Sequence, residues 1–207
     1  MFEGVELAPV ADAGAELAAG ADHHRLDFSG VDFSGQALTG HNFEDCRFRD
    51  CLFPQVSFVN GRLNGCWLDG CALLLAEIGN LALVGTGFVN CKLQGLDFSD
   101  CRRLGFSPTF RHSLLDNCAF GKNALKKRAL ADCDLRACDF MECDLRECDF
   151  SGSRFDGVNF NRCNLEKADF RGATGYRIDP VGNCVAGGRY DLPEAQSFLT
   201  FFGLQLG

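Results

Sequence analysis

The stretch that decides the fold is residues 131–170, ADCDLRACDFMECDLRECDFSGSRFDGVNFNRCNLEKADF. Every fifth residue is Leu or Phe: Leu135, Phe140, Leu145, Phe150, Phe155, Phe160, Leu165 and Phe170. A period of five fits neither the helix period of 3.6 nor the strand period of two. It requires a backbone that turns a corner every five residues. Outward from this stretch the pattern extends back to Phe110. After a phase slip of two residues it resumes from Phe98 back to Phe28 without a miss. In all, twenty-eight Phe, Leu or Ile residues hold the central position of a five-residue repeat.

Two residues before each centre lies a smaller slot, which twelve of the thirteen cysteines occupy. Free Cys behaves as a small hydrophobe. The run Cys133, Cys138, Cys143, Cys148 therefore reads as core packing and not as a metal site. Cys184 is expected outside the array and to be the reactive one. The remaining positions are mostly Asp, Asn, Arg, Ser and Gly, as outward and turn positions should be. The start of the chain lacks a basic segment followed by a compact apolar stretch, and no segment is apolar over the 18 or more residues that span a bilayer. A reducing cytoplasm with free thiols is the expectation, with no membrane association.

This pattern resembles the pentapeptide-repeat family, whose consensus is small–polar–Leu/Phe–polar–polar. The resemblance covers roughly residues 26–175. It implies an all-β solenoid, a right-handed quadrilateral parallel β-helix of about seven coils with twenty residues per coil. Residues 1–25 are Ala- and Gly-rich and out of register, and are expected to form a loosely packed, partly mobile lead-in cap. The interruption at 101–109, CRRLGFSPT, is expected to bulge as a loop exposing Arg102, Arg103, Leu104, Phe106 and Pro108.

Residues 176–207 form the C-terminal cap. Asp191 and Glu194 suggest a capping box, with Pro193 in the first turn of a short helix and Gly203 placed to end it. Ala195, Phe198, Leu199 and Phe202 share one helical face, and Phe201, Leu204 and Leu206 add apolar surface beyond what a cap needs. Ile178, Asp179, Leu192, Pro193, Glu194, Ala195, Gly203, Leu204 and Leu206 resemble the tail of the gyrase-protecting branch of the family: Qnr-type, mycobacterial fluoroquinolone-resistance and albicidin-resistance proteins. That resemblance implies a tail-to-tail homodimer through Leu192, Ala195, Phe198, Leu199, Phe201, Phe202 and Leu204.

The net charge is −8. That disfavours direct nucleic-acid binding, which needs cations to displace counterions. The charge is unevenly spread. Residues 1–100 carry fourteen acids against five bases, residues 101–128 seven bases against one acid, and residues 129–170 ten acids against five bases. Asp134, Asp139, Asp144 and Asp149 immediately precede successive centres. They put one Asp on every side of a coil, and Asp169 is expected to stack on Asp149. The resemblance implies DNA mimicry: an acidic rod that occupies the positively charged surface of DNA gyrase or topoisomerase IV and protects it from quinolones or another topoisomerase poison. The alternative is an adaptor for a different protein partner. The basic belt at 102–128 departs from a pure duplex mimic. Nothing pairs a nucleophile with a base, and no phosphate loop or zinc spacing is present, so neither catalysis nor a metal or other cofactor is expected.

Overall fold

The computed structural model describes residues 6–204. It is a parallel β-solenoid of about eight turns, four-sided, with strands of mostly three residues stacked coil on coil. We number the sides in chain order. Side 1 stacks His23, Phe43, Leu63 and Leu83. Side 2 runs from Phe28 through Phe48, Leu68, Phe88 and Phe110 to Leu130, then on through Phe150 and Phe170. Side 3 carries Phe53, Leu73, Leu93, Leu115, Leu135 and Phe155. Side 4 carries Leu38, Phe58 and Ile78, then Phe98, Phe120, Phe140 and Phe160.

All twenty-eight predicted centres are buried. Phe rings one coil apart lie nearly parallel, as Phe28 on Phe48 at 4.9 Å and Phe120 on Phe140 at 4.7 Å, and meet the neighbouring sides edge-on. Each corner needs a left-handed residue two positions after the centre. Asp45, Asp50, Asn60, Asn80 and Asn90 serve there with φ of 51–61°. These are the side chains, with Gly, that tolerate this conformation best.

The slot is more than small. Its side chain reaches a carbonyl of the preceding coil: the Cys66 thiol points to Phe43 O at 3.3 Å and Cys163 to Phe140 O at 3.2 Å. Where the slot is polar, the same job is done by the Ser153 hydroxyl to Leu130 O at 2.6 Å and the Asn183 amide to Phe160 O at 3.1 Å. Weak donors that satisfy a buried carbonyl fit better than an alkyl group of equal size. Burial pushes the Cys133 thiol up to about 11 and Cys101 up to about 12, which keeps both protonated.

Both ends correct the sequence reading. The segment expected as a loose lead-in has ordered elements. Strand Ala8–Pro9 pairs with Leu26–Ser29, and helix α1, Ala13–Ala19, is capped by Asp12 accepting from the Ala15 N–H at 3.1 Å. The first inward residue is His23, one repeat before Phe28 and only 2% exposed. It stacks on Phe43 at 4.7 Å, and its two ring nitrogens meet Glu16 of α1 at 3.1 Å and His41 at 3.0 Å. At the other end the solenoid does not stop at Ala173. A last, distorted coil follows, in which Tyr176, Ile178 and Tyr190 turn inward, while Cys184 and Arg189 pair with Asn164 and Asp169. Cys184 therefore lies on this coil, not outside the array, with its thiol exposed 3.3 Å from Glu166.

The predicted capping box does not form. The Asp191 carboxylate reaches back to the Gly172 N–H at 2.8 Å, because the last coil places it beside that corner. The helix shortens to a 3₁₀ turn, Glu194–Gln196, and α2, Ser197–Thr200. Gly203 does end it: with φ of 72° it donates to Thr200 O at 3.1 Å, and the Leu204 N–H to Leu199 O at 3.3 Å. Leu206 lies outside the described residues.

The single Trp67 lies on the outside of side 2 over Gly87. A Cβ on Gly87 would come within 2.2 Å of the indole, so the small residue makes room for the ring.

Candidate functional site: the outer sides of the rod

Residues flanking a centre point outward from the same side and sit two apart. That geometry pairs the acids of the predicted girdle with arginines. Asp134 pairs with Arg136. Arg146 donates to Asp144 at 2.8 and 2.6 Å, and Arg171 to Asp169 at 2.9 and 2.6 Å, with Arg189 at 3.6 Å. Hydrogen bonds from these arginines are the main reason the Asp144 and Asp169 carboxyls sit below the usual carboxylate range. Asp149 does stack on Asp169, but it accepts from the Ser151 hydroxyl at 2.6 Å. Asp139 accepts from Asn159 at 2.9 Å. The four girdle residues lie on four different sides, so no single partner surface can meet all of them at once. Only Asp149 and Asp169 share a side.

A different acidic strip emerges when outward positions are sorted by side. Side 4 presents Glu77, Asp97, Asp100, Asp139 and Glu142 against only Lys122 and Arg162. Glu142 is shared by Lys122 and Arg162 at 3.8 Å each. Among the described residues, Glu77, Asp97, Asp100 and Asp139 are exposed and form no ion pair. Glu77 and Asp97 are twenty apart, and Asp139 follows Asp97 by two coils plus the two-residue slip. That arithmetic is the signal from which the sequence could have given the strip.

The interruption corrects the predicted loop. Phe106 and Pro108 do not protrude; both are buried, and Phe106 turns into the core on side 1 below Leu83. Only Arg102–Gly105 projects. The projection is stapled at both ends: Arg102 N–H to Leu81 O at 2.9 Å, Phe106 N–H to Arg103 O at 3.2 Å, and Ser107 N–H to Leu83 O at 2.8 Å. The Ser107 hydroxyl also donates to Gly105 O at 2.9 Å. At its tip Leu104 is 87% exposed. The Arg102 side chain is held by Asn80 at 3.4 Å, and Arg103 makes no ion pair among the described residues.

The C-terminal segment divides in two. Phe198 packs over Tyr190 at 4.8 Å and Tyr176 at 6.1 Å, and Ala195 is half-buried. Leu192, Leu199, Phe201, Phe202 and Leu204 are exposed. Beneath them the Tyr176 and Tyr190 hydroxyls are buried with no hydrogen-bond partner among the described residues.

No group of three or more His, Cys, Asp or Glu among the described residues could hold a metal ion, and no helix is long and apolar enough to cross a membrane.

Pentapeptide repeats match the chain in eight copies, over residues 27–65 and 138–174. The fold is similar to QnrB1, described as a plasmid-mediated fluoroquinolone resistance protein. A trypsin-treated form superposes with a TM-score of 0.71 at 20% identity, covering 89% of this chain and 91% of that one. Full-length QnrB1 gives 0.55 at 18% identity, covering 88% and 100%. No curated protein matches the chain in sequence.

Proposed function

We propose that this chain, a pentapeptide-repeat protein, binds DNA gyrase or topoisomerase IV through its acidic exterior and protects it from quinolones or another topoisomerase-poisoning antibiotic. The observation that carries the reading is the strip of unpaired acids on side 4 of the solenoid. About eight coils at about 4.8 Å each give a length of roughly 38 Å. Regular negative charge along a rod of this kind is what a duplex offers to a DNA-binding surface. Solenoid stacking keeps the charges fixed before contact, so little ordering entropy is lost on docking. The fold likeness to QnrB1 and the C-terminal resemblance agree with it. The exposed apolar tail supports a homodimer through Leu192, Leu199, Phe201, Phe202 and Leu204, which would join two rods tail to tail and double the acidic length. The compartment is the bacterial cytoplasm, where the topoisomerase is found.

The girdle's arginine partners favour a second reading, an adaptor for another protein. Paired surface charges steer less than free ones. Gyrase supercoiling in the presence of ciprofloxacin separates the two. Rescue by the protein, lost in E77A/D97A/D100A/D139A with the solenoid intact by circular dichroism, supports docking through side 4. Rescue retained in that variant removes side 4 from the contact. No rescue and no binding to gyrase leaves the adaptor.

A further inference from the structure

Side 1 is the reverse of side 4. Between Asp45 and Asp144 it presents no acid at all, in a chain with 28 acids. Over the same stretch it presents Arg62, Arg102, Arg103, Lys126 and Lys127. Among these cations stand Val84, 39% exposed, and Leu104, 87% exposed. Among the described residues, the acids that reach in do so from the margins. Glu147 approaches Lys126 and Lys127 at 3.8 and 3.5 Å, and Asp100, at the adjoining corner, forms no ion pair among the described residues. Exposed pairs of that length are weak and readily exchanged.

We propose that this part of side 1 is a docking face for a short acidic polypeptide segment that also carries apolar side chains. The cations span four levels, roughly 15 Å from first to last at about 4.8 Å per coil, which is the reach of about five extended residues. Glu44 and Asp45 bound the face on one side, Asp144 and Glu147 on the other, so a longer uniform polyanion such as a duplex meets like charge at both ends. The apolar tip at Leu104 is held out by the stapled loop and has no use in binding a phosphate backbone. It suits an aliphatic or aromatic anchor ringed by carboxylates, the arrangement in which a few central contacts carry affinity. The face lies on a different side from the acidic strip and stands whether or not that strip binds a topoisomerase.

Fluorescence anisotropy with the whole protein tests this, using a labelled decapeptide in which acidic residues alternate with leucine, at low salt. Binding is expected in the micromolar range. It should weaken about tenfold or more in K126E/K127E and in high salt. In L104S it should weaken by roughly fivefold with the salt dependence unchanged. E77A/D97A should bind like the parent, and circular dichroism should show all variants folded. Equal binding by K126E/K127E, or no binding of the peptide at millimolar protein, overturns the proposal. So does tighter binding of a twelve-base-pair DNA duplex than of the peptide, which would make the face a nucleic-acid site.

Discussion

The two ends of the rod are closed in opposite ways. At the N-terminal end the first coil is covered from within the chain. Ala8–Pro9 covers a strand edge, α1 lies over the first coil, and His23 is held on both ring nitrogens by Glu16 and His41. At the C-terminal end Phe198 seals the core, but five large apolar side chains face outward above two buried phenols that have no hydrogen-bond partner among the described residues. Both ends must block an open parallel edge, and the C-terminal one does so while leaving large apolar side chains outside. The difference teaches that a short C-terminal segment can seal the core with one side chain, Phe198, and still leave apolar surface uncovered.

The sharpest way to break this comparison is to hollow the finished end. Phe43→Ala removes the ring on which His23 stacks and should cost about 3–5 kcal/mol in chemical denaturation; a loss below about 1 kcal/mol would mean that the first coils contribute little to the cooperative unit. Next in size is the unfinished end. F201D/F202D should shift the protein from dimer to monomer in sedimentation, with dimer affinity reduced about a hundredfold and the melting temperature of the monomer unchanged; a parent that sediments as a monomer would make the tail a cap and nothing more.

A smaller effect concerns acid. Burial, with the His23 ring beside it, holds His41 below its ordinary value of 6.5. The released cap therefore binds a proton more readily than the closed one, so cap stability is present above about pH 6.5 and is lost as pH falls below it. Asp22, on the preceding coil, opposes this slightly. The hydrogen-exchange protection of residues 13–19, corrected for the intrinsic rate, should fall between pH 6.5 and 5, and His41→Asn, a residue the slot accepts at Asn123 and Asn183, should flatten that dependence. Protection that is flat in the parent would rule out the histidine pair as its source. Smallest is Tyr190→Phe. Burial pushes the Tyr176 phenol up to about 12 and raises Tyr190 as well, and among the described residues neither hydroxyl has a partner to lose. The change should fall within about 0.5 kcal/mol of neutral or stabilise, whereas a clear destabilisation would show that the hydroxyl is satisfied in the assembled protein.

The inward half of the molecule was legible because one physical demand, filling the square interior, repeats every five residues. What escaped was where a residue type and its role part company. His23 is a centre without being apolar, and Phe106 returns to the core out of phase because four preceding residues loop out. Tyr176 and Ile178 close the last coil off the period, since Gly175 and Pro180 interrupt it. The outer surface was less legible, because position along the chain does not reveal side until residues are counted in twenties. The girdle aspartates stood out by their run, yet the Asp-x-Arg spacing at Asp134, Asp144 and Asp169 already announced their neutralisation. Side 4's strip, with Glu77, Asp97 and Asp139 far apart in sequence, stood out by nothing local.

The placement of Trp67 has a practical consequence. The only indole lies over Gly87 on the outside of the N-terminal half, while the only two phenols, Tyr176 and Tyr190, are locked in the last coil. The remaining aromatic core is phenylalanine, which is nearly dark under the same excitation. Emission at long wavelength thus watches one half and emission at short wavelength the far terminus, so an unlabelled sample can show by its spectrum alone whether the coils melt together or peel from one end.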